Sequence, residues 1–221
     1  MSKVVKLTVM VGDTRSRKII KTLKRRGWGR MCSPSSTHGR PAPYSGEPWG
    51  LDNGAYAAHL RDMRLDLGQF YEQAQEAVEV GGCRLAVLPD IVGGGMASLE
   101  LSVRELDRLP ELPWYLAVQD GMEFQPAWGQ VCDVVEDDRI AGIFLGGTNR
   151  FKLTAQRWRH TADMMGKKLH YGRAGTPFKI QHAMRIEVDS LGSAFPLWTT
   201  ERFRIFEKAI DGTLPQLSLP L

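Results

Sequence analysis

Four aspartates, a glutamine and a pair of glycines follow apolar runs in this chain: Asp52 in GLDNGAY, Asp90 in VLPDIVGGG, Gln119 and Asp120 in AVQDG, Gly146 and Gly147 in FLGGT, and Asp189 in VDSLGSA. Carboxylates gathered in one site can break a glycosidic bond. One attacks the anomeric carbon and a second group acts as acid or base, because dividing the displacement into two steps avoids a free oxocarbenium ion. Carboxylate and amide groups also recognise the exocyclic amines and ring N–H groups of a nitrogen-rich base, on which an aromatic such as Tyr56 can stack. The glycine runs at 93–95 and 146–147 could cradle a phosphate at a helix N-terminus. Each of these residue types is also an ordinary turn or cap residue. Asp189 in particular reads equally well as a helix cap when taken alone.

Other chemistries find little support. The three cysteines, Cys32, Cys83 and Cys132, are odd in number and widely spaced, which suits neither a disulfide framework nor a zinc knuckle. The five histidines are scattered, with no pair at metal-ligand spacing. No metal and no cofactor is therefore expected. VGDTRS follows the first apolar run where a dinucleotide-binding enzyme would carry its glycine fingerprint.

The elements that would have to position these groups alternate. Apolar runs VVKLTVMVG, WGLDNGAY, CRLAVLPD, WYLAVQD, IAGIFLGG and KLHYGRAG read as strands, separated by helical stretches that include FYEQAQEAVEVGG, MASLELSVRELDRL and PFKIQHAMRIE. Strands too apolar for a solvated face, each followed by a helix, predict a parallel sheet covered by helices. Their number favours one compact (β/α)8 barrel spanning residues 1–221, in trimmed form, over an open doubly wound sheet. In such a barrel the residues that end the strands meet in one cup. The Gly-, Pro- and Ser-rich stretch at about 28–48 breaks the alternation and is expected to be a long loop, with a lid as its functional reading. No apolar run is long enough to span a bilayer and the start lacks a signal peptide's pattern, so a cytoplasmic location is expected.

The net charge is +4, and the cations crowd the segment TRSRKIIKTLKRRGWGR. Ile19, Ile20 and Leu23 recur at helical spacing, so Arg15, Arg17, Lys21, Lys24, Arg25 and Arg26 would form the outer face of an amphipathic helix. Such a face is either simply solvated or a phosphate-contacting patch.

Taken in order, the motifs resemble the tRNA-guanine transglycosylase superfamily, and within it the short DNA-directed branch, the deazapurine-in-DNA protein A family. LDNGAY is similar to that family's D-S-G-G-F/Y segment, AVQDG to V-Q-G-G, FLGGT to a G-G strand end, and GRAGTPFKIQHAMRIEVDSLGSAFPLW to the G-V-G-T-P segment whose helix leads to the catalytic aspartate. The resemblance implies that Asp189 is the nucleophile at C1′, that Asp52 is the acid/base carboxylate, and that Asp90, Gln119 and the Gly146 and Gly147 amides recognise the purine with Tyr56 stacked on it. Ser190 would then be a small neighbour giving the carboxylate room. The activity implied is exchange of guanine in DNA for a free 7-deazaguanine such as 7-cyano-7-deazaguanine, on a target nucleotide extruded from the duplex. The chain departs from the tRNA enzymes in having no cysteine after Cys132 and no room for their zinc-bearing insertion. Asn53 and Ala55 also replace the second and fourth residues of the first motif. Exchange on tRNA, a non-catalytic nucleic-acid-binding barrel and an unrelated phosphate-binding barrel enzyme are the competing expectations.

Overall fold

A computed structural model describes residues 7–33 and 48–214. Eight parallel strands close into a barrel in sequence order, the last pairing with the first through Thr8–Val11 against Ser190–Ser193. The first half runs β1 (Thr8–Gly12), α1 (Arg17–Arg26), β2 (Gly29–Cys32), β3 (Trp49–Leu51), α2 (Ala55–His59), α3 (Leu67–Val80), β4 (Cys83–Val87) and α4 (Met96–Leu106). The second half runs β5 (Trp114–Val118), α5 (Ala127–Val135), β6 (Ile140–Leu145), a 3-10 turn (Phe151–Thr154), α6 (Ala155–Met164), β7 (Lys168–Tyr171), α7 (Pro177–Arg185), β8 (Ser190–Ser193), a second 3-10 turn (Phe195–Leu197) and α8 (Thr200–Ile210). The (β/α)8 expectation is met.

Local chemistry sets the helix ends. Ser16, Asp66, Thr176 and Thr199 each accept a backbone N–H of the first turn of the helix they precede, which satisfies a donor that no carbonyl inside the helix reaches. Pro177 opens α7, where the missing N–H is not needed. Gly27 closes α1 in the left-handed region at φ 64° and turns the chain into β2.

Two strands escape a reading of apolar runs. The stretch at about 28–48 is not wholly a loop, because GRMC at its start is β2, pairing with β1 and β3. Residues 34–47, on which the lid expectation rests, lie outside the described residues. The eighth strand, SLGS, begins after Asp189 instead of ending at it.

Alternation along the strands divides the apolar residues into two sets. Val9, Val11, Trp49, Leu51, Leu116, Val118, Ile143, Leu145, Leu169, Tyr171 and Leu191 face the helices and form the main core with them. Inside the barrel, Leu85, Val87, Tyr115 and Ala117 pack with Met31 and Phe144. Three rings of this interior lie over glycines in the next strand or, for Gly172, just past its end. A Cβ at Gly142 would meet Tyr115 at 2.5 Å, one at Gly172 would meet Phe144 at 2.6 Å, and one at Gly192 would meet His170 at 2.8 Å. The Phe144 and His170 rings stack with centroids 4.9 Å apart. The interior is thus filled by side chains and is not a pore.

Candidate functional site at the barrel mouth

The residues that follow the strands converge at the C-terminal end of the barrel, here called the mouth. Asp52 stands one residue past β3, held there by its N–H, which donates to Cys32 O at 2.6 Å. Burial pushes its carboxyl up from the ordinary value, against the pull of the Gly54 and Asn53 backbone N–H groups that it accepts. Asn53 is buried and bridges to the next strand end. Its Nδ2 donates to Leu88 O at 2.6 Å and to Asp90 Oδ1 at 2.7 Å, while its Oδ1 accepts the Ala55 N–H at 2.8 Å. Burial, partly offset by that Asn53 hydrogen bond and reinforced by the charge of Asp52, pushes Asp90 up to about 6. Two carboxyls thus share one side of the mouth, and like charges so placed resist ionising together.

The remaining mouth residues are more committed to structure than the sequence reading expects. Gln119 is buried, accepts the Gly93 N–H at 2.6 Å and donates to Ile91 O at 2.8 Å, so its amide holds the β4–α4 loop. The Gly146 N–H donates to Val118 O at 2.9 Å within the sheet and is not offered to a ligand. Gly147 adopts φ 67°, where an added Cβ would meet Phe151 at 2.5 Å. Asp120 accepts both the N–H, at 2.7 Å, and the hydroxyl of Thr148. Although burial opposes it, these bonds hold Asp120 below the usual carboxylate value.

Tyr56 stands half-exposed at the start of α2, and the Arg173 guanidinium lies 4.5 Å above its ring. Arg173, just past β7 in the left-handed region at φ 53°, also donates to Gly147 O. One side chain therefore crosses the mouth from β7 to the residues after β3. A search for acids and amides passes over Arg173, although a cation directly after a strand is a signal of the same kind. Lys152 has no such signal. It is buried, donates from Nζ to Leu145 O and Gly172 O at 2.7 Å each, and lies 4.6 Å from the centroid of the Tyr171 ring.

Asp189 is not in this cup. It precedes β8, so it lies at the opposite, N-terminal end of the barrel, where its backbone pairs with Thr8 and Leu169. Its alternation with Leu191 turns it toward the helices. Its Oδ2 accepts from Arg159 Nη1 at 2.6 Å and from the Leu169 N–H at 2.8 Å, while Arg159 also pairs with Asp163 at 2.7 Å. The expected convergence of Asp189 with Asp52 therefore fails. A strand of serine, leucine and glycine carries no apolar run, so the sequence shows no sign that Asp189 precedes a strand instead of ending one. Ser190 turns inward and hydrogen-bonds His170 Nδ1 at 2.8 Å.

The basic segment is divided. Arg15, Arg17, Lys21, Lys24 and Arg25 are exposed, and they run along α1 from the mouth toward the opposite end. Arg26 is instead paired with Glu207 and Asp211 of α8 and lies 4.6 Å from the centroid of the Trp28 ring. Arg30 of β2 is buried and pairs with Asp13 at 3.2 Å. Among the described residues no group of His, Cys, Asp or Glu could hold a metal ion, and no helix is long and apolar enough to cross a membrane. No protein-family model matches the chain, and no curated protein matches its sequence.

Proposed function

We propose that the protein is a base-exchange transglycosylase that replaces guanine in DNA with a 7-deazaguanine, with Asp52 and Asp90 as the reacting pair. The observation that carries this reading is the Asp52–Asn53–Asp90 linkage at the mouth, one carboxyl with two backbone donors and the other pushed up to about 6. In this reading Asp52 reacts as the carboxylate and Asp90 as the acid, because the charge of Asp52 helps to raise Asp90. The Asp52 carboxylate attacks C1′ and the C1′–N9 bond breaks. Its electron pair passes to the guanine, which takes the Asp90 proton at a ring nitrogen. The incoming base then gives its N9 proton to Asp90, bonds to C1′ and displaces Asp52. Atoms and charge balance without a cofactor. The order of the motifs supports the substrate class, and the exposed cations of α1 support a polyanionic partner.

Incubation with duplex DNA and labelled 7-cyano-7-deazaguanine, followed by digestion to nucleosides and mass spectrometry, tests the reading. Incorporation by the wild type and its loss in Asp52→Asn are expected; incorporation undiminished in Asp52→Asn overturns the assignment. The same assay with tRNA separates the RNA-directed alternative. One observation favours a second reading, a non-catalytic DNA-binding barrel: the inward positions of β8 carry only Ser190 and Gly192, so that strand offers the mouth no carboxylate. Salt-dependent DNA binding with no incorporation of any base would select it.

A further inference from the structure

Beside the mouth, between the 3-10 turn after β6 and the first turn of α7, lies a cavity of about 170 Å3 lined by Asn149, Lys152, Tyr171, Thr176, Lys179 and His182, among others. None of its lining residues is a carboxylate. The buried Lys152 ammonium uses two of its three donors on the Leu145 and Gly172 carbonyls, and among the described residues it takes part in no ion pair. An ammonium buried without a counter-charge is costly, and burial accordingly pushes the Lys152 pKa well below its ordinary value; an anion in the adjoining space would offset that cost and restore the charge. Arg173 and Lys179 are near enough to oppose the charge on Lys152, and Arg173 opposes that on Lys179. The positive field of these three cations is met by Asp120 alone among the groups acting on Lys152. Thr176 and Pro177 open α7 at the cavity, adding the positive end of a nine-residue helix.

We infer that this cavity is a phosphate subsite that takes the phosphodiester oxygens of a nucleotide held in the mouth. Lys179, Lys152 and the Thr176 hydroxyl are the donors, and Asn149 stands at the rim. The position suits that ligand. β7 lies four strands around the ring from β3, so the subsite stands on the side of the mouth opposite Asp52, behind the β6–β7 strands. The Arg173 side chain, directly after β7, spans the mouth to Tyr56. The identity of the ligand rests on the base-exchange reading, whereas the anion site itself does not.

Titration calorimetry of the full chain with inorganic phosphate, dGMP and the dinucleotide d(GpT), against deoxyguanosine in matched chloride, tests the inference. The phosphate-bearing ligands are expected to bind, the dinucleotide most tightly. Lys179→Gln should weaken each about tenfold and Lys179→Arg should restore most of the affinity. Affinity unchanged in Lys179→Gln, or no binding by any of the phosphate ligands, overturns the site. Inorganic phosphate bound through Lys179 with the dinucleotide excluded would overturn the link to a nucleic-acid backbone. Because binding is measured without turnover, Lys179-dependent binding in a protein inactive in the exchange assay would count against base exchange alone.

Discussion

At the N-terminal end of the barrel, Asp189 receives a guanidinium at 2.6 Å and a backbone N–H at 2.8 Å on one oxygen. At the mouth, Asp52 accepts neighbouring backbone N–H groups and Asp90 accepts Asn53, with the Arg173 charge favouring ionised Asp90 and the Asp52 charge opposing it. The first arrangement ties α6 to the β7–β8 edge and leaves the carboxylate nothing further to do. The second leaves two acids with raised pKa values side by side, at a cost in stability, a pattern common in active sites. An aspartate's task is therefore decided less by its neighbours in the chain than by which end of a strand it occupies.

The sharpest way to break this contrast is to exchange the two carboxylates' expected phenotypes. Asp52→Asn is expected to lower base exchange about a thousandfold without lowering the melting temperature; Asp189→Asn is expected to leave the rate per folded molecule near wild type. The reverse pattern in the nucleoside digest would return catalysis to Asp189. Next in size is stability. Asp189→Ala leaves Arg159 partly buried without its main partner, and urea unfolding should report a loss of about 2 kcal/mol, between the values for exposed and fully buried pairs.

The pH profile sharpens the contrast at the mouth. Asp90 titrates at about 6 when folded and near the ordinary value of about 3.9 when unfolded, so between these values the folded chain binds more protons. Its contribution should therefore favour folding below about 4, decline as pH rises to about 6 and stay constant above. The difference in stability between wild type and Asp90→Asn, followed by urea unfolding from pH 4 to 7, should isolate that slope; equal slopes would remove Asp90 from its perturbed setting. The smallest expected effect distinguishes cations on one helix. Replacing Lys21, Lys24 and Arg25 by Gln should make the salt dependence of DNA binding shallower by about 2 to 3 logarithmic units per decade. Arg26→Gln should leave that slope alone and cost about 0.5 kcal/mol of stability, since its partners are on α8.

Much of this architecture is legible in the sequence because parallel strands buried on both faces announce themselves as apolar runs. The six strands that do so were found, and with them Asp52, Asp90, Gln119, Asp120 and the glycine pair at the mouth. The two strands that were missed share a cause. GRMC buries an arginine and SLGS is nearly without apolar residues, so neither carries the signal. The second omission moved Asp189 from one end of the barrel to the other. Roles that depend on tertiary partners were also hidden. Gln119 holds a loop 26 residues away in sequence, Arg26 pairs across 181 residues, and Lys152 acquires its setting only when β6 and β7 lie side by side.

The rings of Tyr115, Phe144 and His170, laid over Gly142, Gly172 and Gly192, have a consequence for charge inside the barrel. They fill the barrel interior with an aromatic layer, and burial holds the His170 imidazole down at about 3, so at neutral pH it carries no charge. On the base-exchange reading, a substrate seated at the mouth would cover the Asp52–Asp90 pair in front of this uncharged layer.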